Sequence, residues 1–171
     1  SEMDHFLENI CNSDWNERQD AGRPLSEAIR TLQERHPDYH DEIRMYYEQW
    51  TTMLGGPIED NAALLEPLRS RYRLFGLTNW SAETFPIARE MYSLFDWFEG
   101  IVISGEERLK KPDERIYRVL LERYGLKSAE SLFIDDRLDN VQAAEGLGFQ
   151  TIHLAEGKNL ETEFRLLGIL A

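Results

Sequence analysis

Four short apolar runs constrain the fold more than anything else in this chain: Leu74-Phe75-Gly76-Leu77, Ile101-Val102-Ile103, Leu132-Phe133-Ile134 and Thr151-Ile152-His153-Leu154. Runs this short read as buried strands of a parallel sheet. The stretches between them carry helical spacing instead: Glu83 to Met91, then Ile116, Val119 and Leu120 up to Tyr124 and Gly125, then Leu138, Val141 and Ala144. Regular strand-helix alternation predicts an α/β fold, a Rossmann-like doubly wound core around a parallel sheet.

The earlier part of the chain has a different rhythm. From Met3 to about Met53 the apolar residues recur at helical intervals, as in Ile29 and Leu32 or Ile43, Tyr46, Tyr47 and Trp50, with no strand-like run. Pro24 and Pro37 mark breaks, and Asp38 is expected to cap a new helix with Asp41 and Glu42 in its first turn. Gly55-Gly56-Pro57 then punctuates the sequence, giving a helical lobe over residues 1–55 and an α/β core over 56–171.

Composition narrows the partners. With 32 acidic against 19 basic side chains the net charge is -13, which opposes nucleic acid and anionic membrane surfaces. A single cysteine, Cys11, allows no internal disulfide, and the expected compartment is the reducing cytoplasm. The greasiest stretch, Tyr92 to Ile103, is interrupted by Asp96 and Glu99, and Ser1 to Asn9 lacks the basic-then-apolar form of a secretory signal.

In open α/β sheets ligands bind beyond the carboxyl ends of the strands. There the sequence places Thr78-Asn79-Trp80, then Ser104-Gly105-Glu106 followed by Lys110-Lys111-Pro112-Asp113, and finally Asp135-Asp136 with Asn140. A hydroxyl and amide, a cation and a carboxylate pair suit a phosphate together with a hard divalent cation. Taken alone, Thr78 is equally a strand end or a cap, and Lys111 an ordinary exposed lysine. Asp135-Asp136 is harder to dismiss, because adjacent carboxylates at the end of an apolar strand repel each other unless a cation or donor neutralises them.

Together these residues resemble the haloacid dehalogenase-like (HAD) hydrolase superfamily. Leu77-Thr78-Asn79-Trp80 is similar to its second motif, Lys111-Pro112-Asp113 with Ile116-Tyr117 to its third, and Phe133-Ile134-Asp135-Asp136 with Asn140-Val141 to its fourth. The helical lobe sits where that family inserts a small cap. The resemblance points to the phosphatase branch, which includes sugar-phosphate phosphatases and the phosphatase domain of soluble epoxide hydrolases. It implies a magnesium-dependent phosphatase acting on a small phosphorylated metabolite through an aspartyl-phosphate. By the same resemblance Thr78 and the Asn79 backbone hold phosphoryl oxygens, and Lys111 offsets charge on nucleophile and phosphate. Asp136 binds Mg2+, Asp135 is a second ligand or orients Lys111, and Asn140 steadies that loop. Trp15, Asp20 and Trp50 are the expected substrate contacts of the cap, while Lys110 is expected to point to solvent.

One family element is absent from these 171 residues: the Asp-x-Asp that ends the first strand and carries the nucleophile. The resemblance places that strand centrally, between the strands ending at Thr78 and Asp135. The expectation is a truncated hydrolase, inactive by itself, with the attacking Asp upstream. The alternatives are a pseudo-phosphatase serving as an acidic interaction module and, less favoured because Asp135-Asp136 departs from the dehalogenase motif, a 2-haloacid dehalogenase. A two-component receiver domain uses similar residues but in a different chain order.

Overall fold

In the computed structural model, which describes residues 1–170, four helices come first: α1 (Glu2–Asn9), α2 (Ser13–Asp20), α3 (Leu25–Arg35) and α4 (His40–Glu48). Apolar residues four apart turn one face of each pair inward, so that Phe6 and Ile10, Ala28 and Leu32, and Ile43 and Tyr47 are buried in one cluster with Cys11 and Trp15. Ser1 and Asp4 make a reciprocal capping box on α1, and the Asn12 side chain accepts from the Trp15 amide at 2.8 Å to start α2. Asp38 does not cap α4. Pro37, with its fixed φ, opens a 3-10 turn over Pro37–Tyr39 instead, and α4 begins at His40 with Asp41 and Glu42 in its first turn.

After α5 (Glu59–Leu68) the order is β1 (Phe75–Thr78), α6 (Phe85–Met91), β2 (Gly100–Ile103), α7 (Ser104–Glu107), α8 (Glu114–Tyr124), β3 (Leu132–Asp135), α9 (Leu138–Gly146), β4 (Gln150–His153) and α10 (Leu160–Leu166). All four apolar runs are strands. β3 and β4 pair in parallel, Leu132 opposite Gln150 and Asp135 opposite His153, and β1 pairs with β2. Among the described residues the two ribbons share no ladder, so each strand keeps one edge unpaired. The expectation of buried strands is corrected here: every residue of β1 is only half-buried, as befits a strand with a single neighbour.

Helix α8 shows how local chemistry positions these ribbons. The Asp113 carboxylate accepts from the Arg115 amide at 2.9 Å to start it, and Gly125, at φ 62°, ends it in the left-handed region. Its last residue, Tyr124, stacks 4.9 Å from the Phe75 ring and lies against Gly100, where an added Cβ would fall 2.1 Å from the Tyr124 ring.

By its contacts the chain forms two compact units. One comprises Ser1–Gly56, Thr78–Ser93 and Ile103–Lys110; the other comprises Pro57–Leu77, Leu94–Val102 and the chain from Lys111 onward. The division at residues 55 and 56 follows chain order, whereas the contacts group the segments that leave β1 and β2 with the helical lobe. The second unit has its own apolar cluster of Leu68, Ile152, Leu160 and Phe164, with Leu132 and Ile134 packed against it. No helix is long and apolar enough to cross a membrane among the described residues.

Candidate active site

In the second unit, Asp135 closes β3 and is 8% exposed. Lys111 donates to its Oδ2 at 2.7 Å, while the Arg137 amide and the Asn140 side chain each donate to its Oδ1 at 2.9 Å. The side chains of the ion pair are 11% and 5% exposed, so water screens it little. Burial pushes the Asp135 carboxyl up, but the Lys111 ammonium, joined by the Asn140 and Arg137 donors, overrides burial and holds it below the usual carboxylate range. Asn140 is fixed in turn: it is 2% exposed, and the Tyr117 hydroxyl donates to its carbonyl at 2.8 Å. Sequence reasoning grouped Lys111, Asp135 and Asn140, and the fold brings these three into contact.

Asp136, the next residue, is exposed, and His153 Nε2 lies 3.0 Å from its carbonyl oxygen. Its carboxylate oxygens and the buried, unpartnered Asn140 Oδ1 are hard donors of the kind magnesium takes. No group of three His, Cys, Asp or Glu side chains able to hold a metal occurs among the described residues. This donor set fits part of a magnesium site, an ion that commonly takes one or two carboxylates and completes its shell with water and substrate phosphate.

In the first unit, Thr78 ends β1, Asn79 and Trp80 follow it, and a buried hydroxyl holds Trp80. Ser104, 0% exposed at the end of β2, accepts from the Trp80 amide at 2.9 Å and donates to the Asp20 carbonyl at 2.5 Å. Gly105 donates to the Trp80 carbonyl at 3.0 Å and comes so close that a Cβ there would lie 2.3 Å from the Ala82 nitrogen. Ser104 was visible as a polar residue after an apolar run, but nothing in the sequence paired it with Asp20.

Two of the three expected cap contacts, Asp20 and Trp50, line a cavity of about 210 Å³ together with Trp80. Trp15 does not. It is 6% exposed in the helical core, with the Arg23 guanidinium 3.8 Å from its ring centroid and Arg18 and Arg35 at 5.2 and 5.3 Å, and it serves packing. Burial pushes the Asp20 carboxyl up to about 6; Lys110 opposes that rise, Glu17 adds to it, and the Ser81 amide opposes it. Lys110 is therefore not a solvent-facing lysine: it pairs with Glu17, a partner too remote in sequence to anticipate. A second cavity, of about 340 Å³ beside Asp60 and Asn159, touches none of these residues.

Known proteins resemble this chain in sequence and in fold. The profile of haloacid dehalogenase-like hydrolases matches residues 9–148. The chain is 32% identical over 126 residues to the sesquiterpene phosphatase astK of Aspergillus oryzae, covering 74% of this chain and 64% of that protein. It is 22% identical over 142 residues to phosphoglycolate phosphatase of Vibrio cholerae, covering 80% and 63%. It thus spans just under two thirds of the length of these relatives. A HAD family enzyme of Bacteroides thetaiotaomicron, solved with magnesium and inorganic phosphate, superposes with a TM-score of 0.76 at 21% identity, covering 95% of this chain and 87% of that one, which shows a shared fold.

Proposed function

The chain belongs to the haloacid dehalogenase-like hydrolases, and on that premise we propose that it forms the greater part of a magnesium-dependent phosphatase acting on a small phosphorylated metabolite. The observation that carries this reading is the buried Lys111–Asp135 pair at the end of β3, with the exposed Asp136 beside it. Burying a lysine against an aspartate is costly in desolvation and gives little net stability, so a site that needs a fixed cation is the better reason for it. Phosphatases among the relatives support the same reaction class.

Lys111 supplies positive charge where the phosphoryl group gains negative charge, and Asp135, both of whose oxygens are already engaged, orients that ammonium instead of serving as a metal ligand. Thr78 and the Asn79 amide donate to phosphoryl oxygens. Asp136, with Asn140 steadying its loop, would hold magnesium, which when bound polarises the phosphoryl oxygens. The nucleophile is a carboxylate outside residues 1–171, consistent with the absence of Asp-x-Asp from the sequence and with the unpaired strand edges.

The test is steady-state phosphate release by the complete protein at saturating magnesium, comparing Lys111→Ala with Lys110→Ala and confirming by circular dichroism that both are folded. Lys111→Ala should lose on the order of 10²–10³ in kcat, the effect of deleting one preorganised electrostatic contact. Lys110→Ala should lose less than about tenfold, since its partner Glu17 is half-exposed. Equal losses, or turnover independent of magnesium, overturn the assignment.

A further inference from the structure

The 210 Å³ cavity of the first unit has a composition that selects among phosphate esters. Its walls are largely apolar: the Trp50 and Trp80 rings meet nearly at right angles, 83°, with centroids 6.4 Å apart, and Leu25 and Met53 add aliphatic surface. Most polar side chains of the lining already have hydrogen-bond partners. Gln19 donates to the Tyr47 hydroxyl at 2.9 Å, Tyr47 donates to Asn16 Oδ1 at 2.9 Å, Asn16 donates to the Tyr46 hydroxyl at 2.8 Å, and the Trp80 indole donates to Thr84 at 3.0 Å. Asp20 is the one charged residue on the lining.

We propose that this cavity seats the organic body of the substrate and that the body is an apolar, unsaturated or aromatic hydrocarbon, neither a sugar nor a carboxylic acid. The proposal rests on the phosphatase reading for the word substrate, and on the cavity itself for the word apolar. A polyol entering here would strip water from several hydroxyls and meet few lining groups without a partner, leaving its hydroxyls poorly paired. A carboxylated ester would bring a second negative charge toward Asp20. A hydrocarbon loses nothing on desolvation and gains contact with both indoles. The volume admits roughly seven water molecules at liquid density, enough for a substantial alkenyl or aryl group. Trp80 and Ser81 line the cavity and follow Thr78 and Asn79 directly in the chain, so the body-binding surface begins next to the proposed phosphoryl donors.

The test separates the two readings. Tryptophan fluorescence of the complete protein is titrated with geraniol and with glucose, in wild type, Trp50→Ala and Met53→Asp. Met53 is 54% exposed, so its substitution leaves the fold intact if Trp50→Ala does not. Geraniol should bind saturably and at least about tenfold more tightly than glucose, and either variant should weaken it by about threefold or more. Absence of saturable geraniol binding, or glucose binding equally well, overturns the apolar assignment. Phosphate release is then measured on geranyl phosphate, glucose 6-phosphate and phosphoglycolate, where kcat/KM should be highest for geranyl phosphate by about tenfold or more. If geraniol binds and no ester is hydrolysed, the phosphatase reading falls and the cavity assignment stands. If glucose 6-phosphate or phosphoglycolate is hydrolysed fastest, the apolar assignment falls and the phosphatase reading stands.

Discussion

Two carboxylates in this chain, Asp135 buried and Asp20 half-buried, are perturbed in opposite directions. Asp135 is held low by Lys111 and two further donors, whereas Asp20 is raised to about 6 because burial outweighs the help it gets from Lys110 and the Ser81 amide. The consequence for stability follows from the sign. An Asp titrates near 3.9 in the unfolded chain, so raising it to about 6 means the fold favours the protonated form, and stability is lost as pH rises from about 4 to about 6. Asp20→Asn escapes that loss while keeping an acceptor for the Ser81 amide. At pH 7 it should be more stable than wild type by about 1 kcal/mol, after discounting for partial exposure, and the gap should shrink toward zero near pH 4. Urea unfolding at both pH values checks this; a gap that does not change with pH sinks it. Lys111, Asp135 and Asn140 could be read from the sequence because strand ends gather chemistry whatever the loops do. Glu17 and Lys110 could not, since nothing local couples residues 93 apart.

At the scale of elements, the strands were legible almost to the residue because short apolar runs set between amphipathic stretches leave the chain few other choices. The start of α4 was not, because Pro37 favoured a tight turn over the cap expected at Asp38. Glycines are similarly opaque from sequence. Gly100 reads as a plain strand opener, yet the Tyr124 ring occupies the space its Cβ would need. Gly100→Ala must displace Tyr124 from Phe75, and should cost about 1–3 kcal/mol, the range for overpacking. Trimming the ring in a Gly100→Ala/Tyr124→Leu double variant should recover part of that cost, measured by the thermal midpoint. A double variant no better than the sum of its singles shows that the ring is not the obstacle.

Over the whole molecule, the described strands form two ribbons with open flanks, as a sheet that lacks a central strand should. That arrangement and the missing Asp-x-Asp lead to one functional prediction. The 171-residue chain alone should release no phosphate above background from an aryl phosphate, and the same chain carrying roughly 30 native upstream residues, room for a strand and its connection, should show magnesium-dependent turnover. Robust activity from the short chain would place the nucleophile inside it. The open flanks also bear on how the protein could be taken apart and put back together. An unpaired strand edge accepts a partner whether or not a peptide bond links the two. A synthetic peptide of the upstream strand, added in trans, should therefore restore turnover in proportion to its occupancy, so that assembly of the two pieces can be titrated.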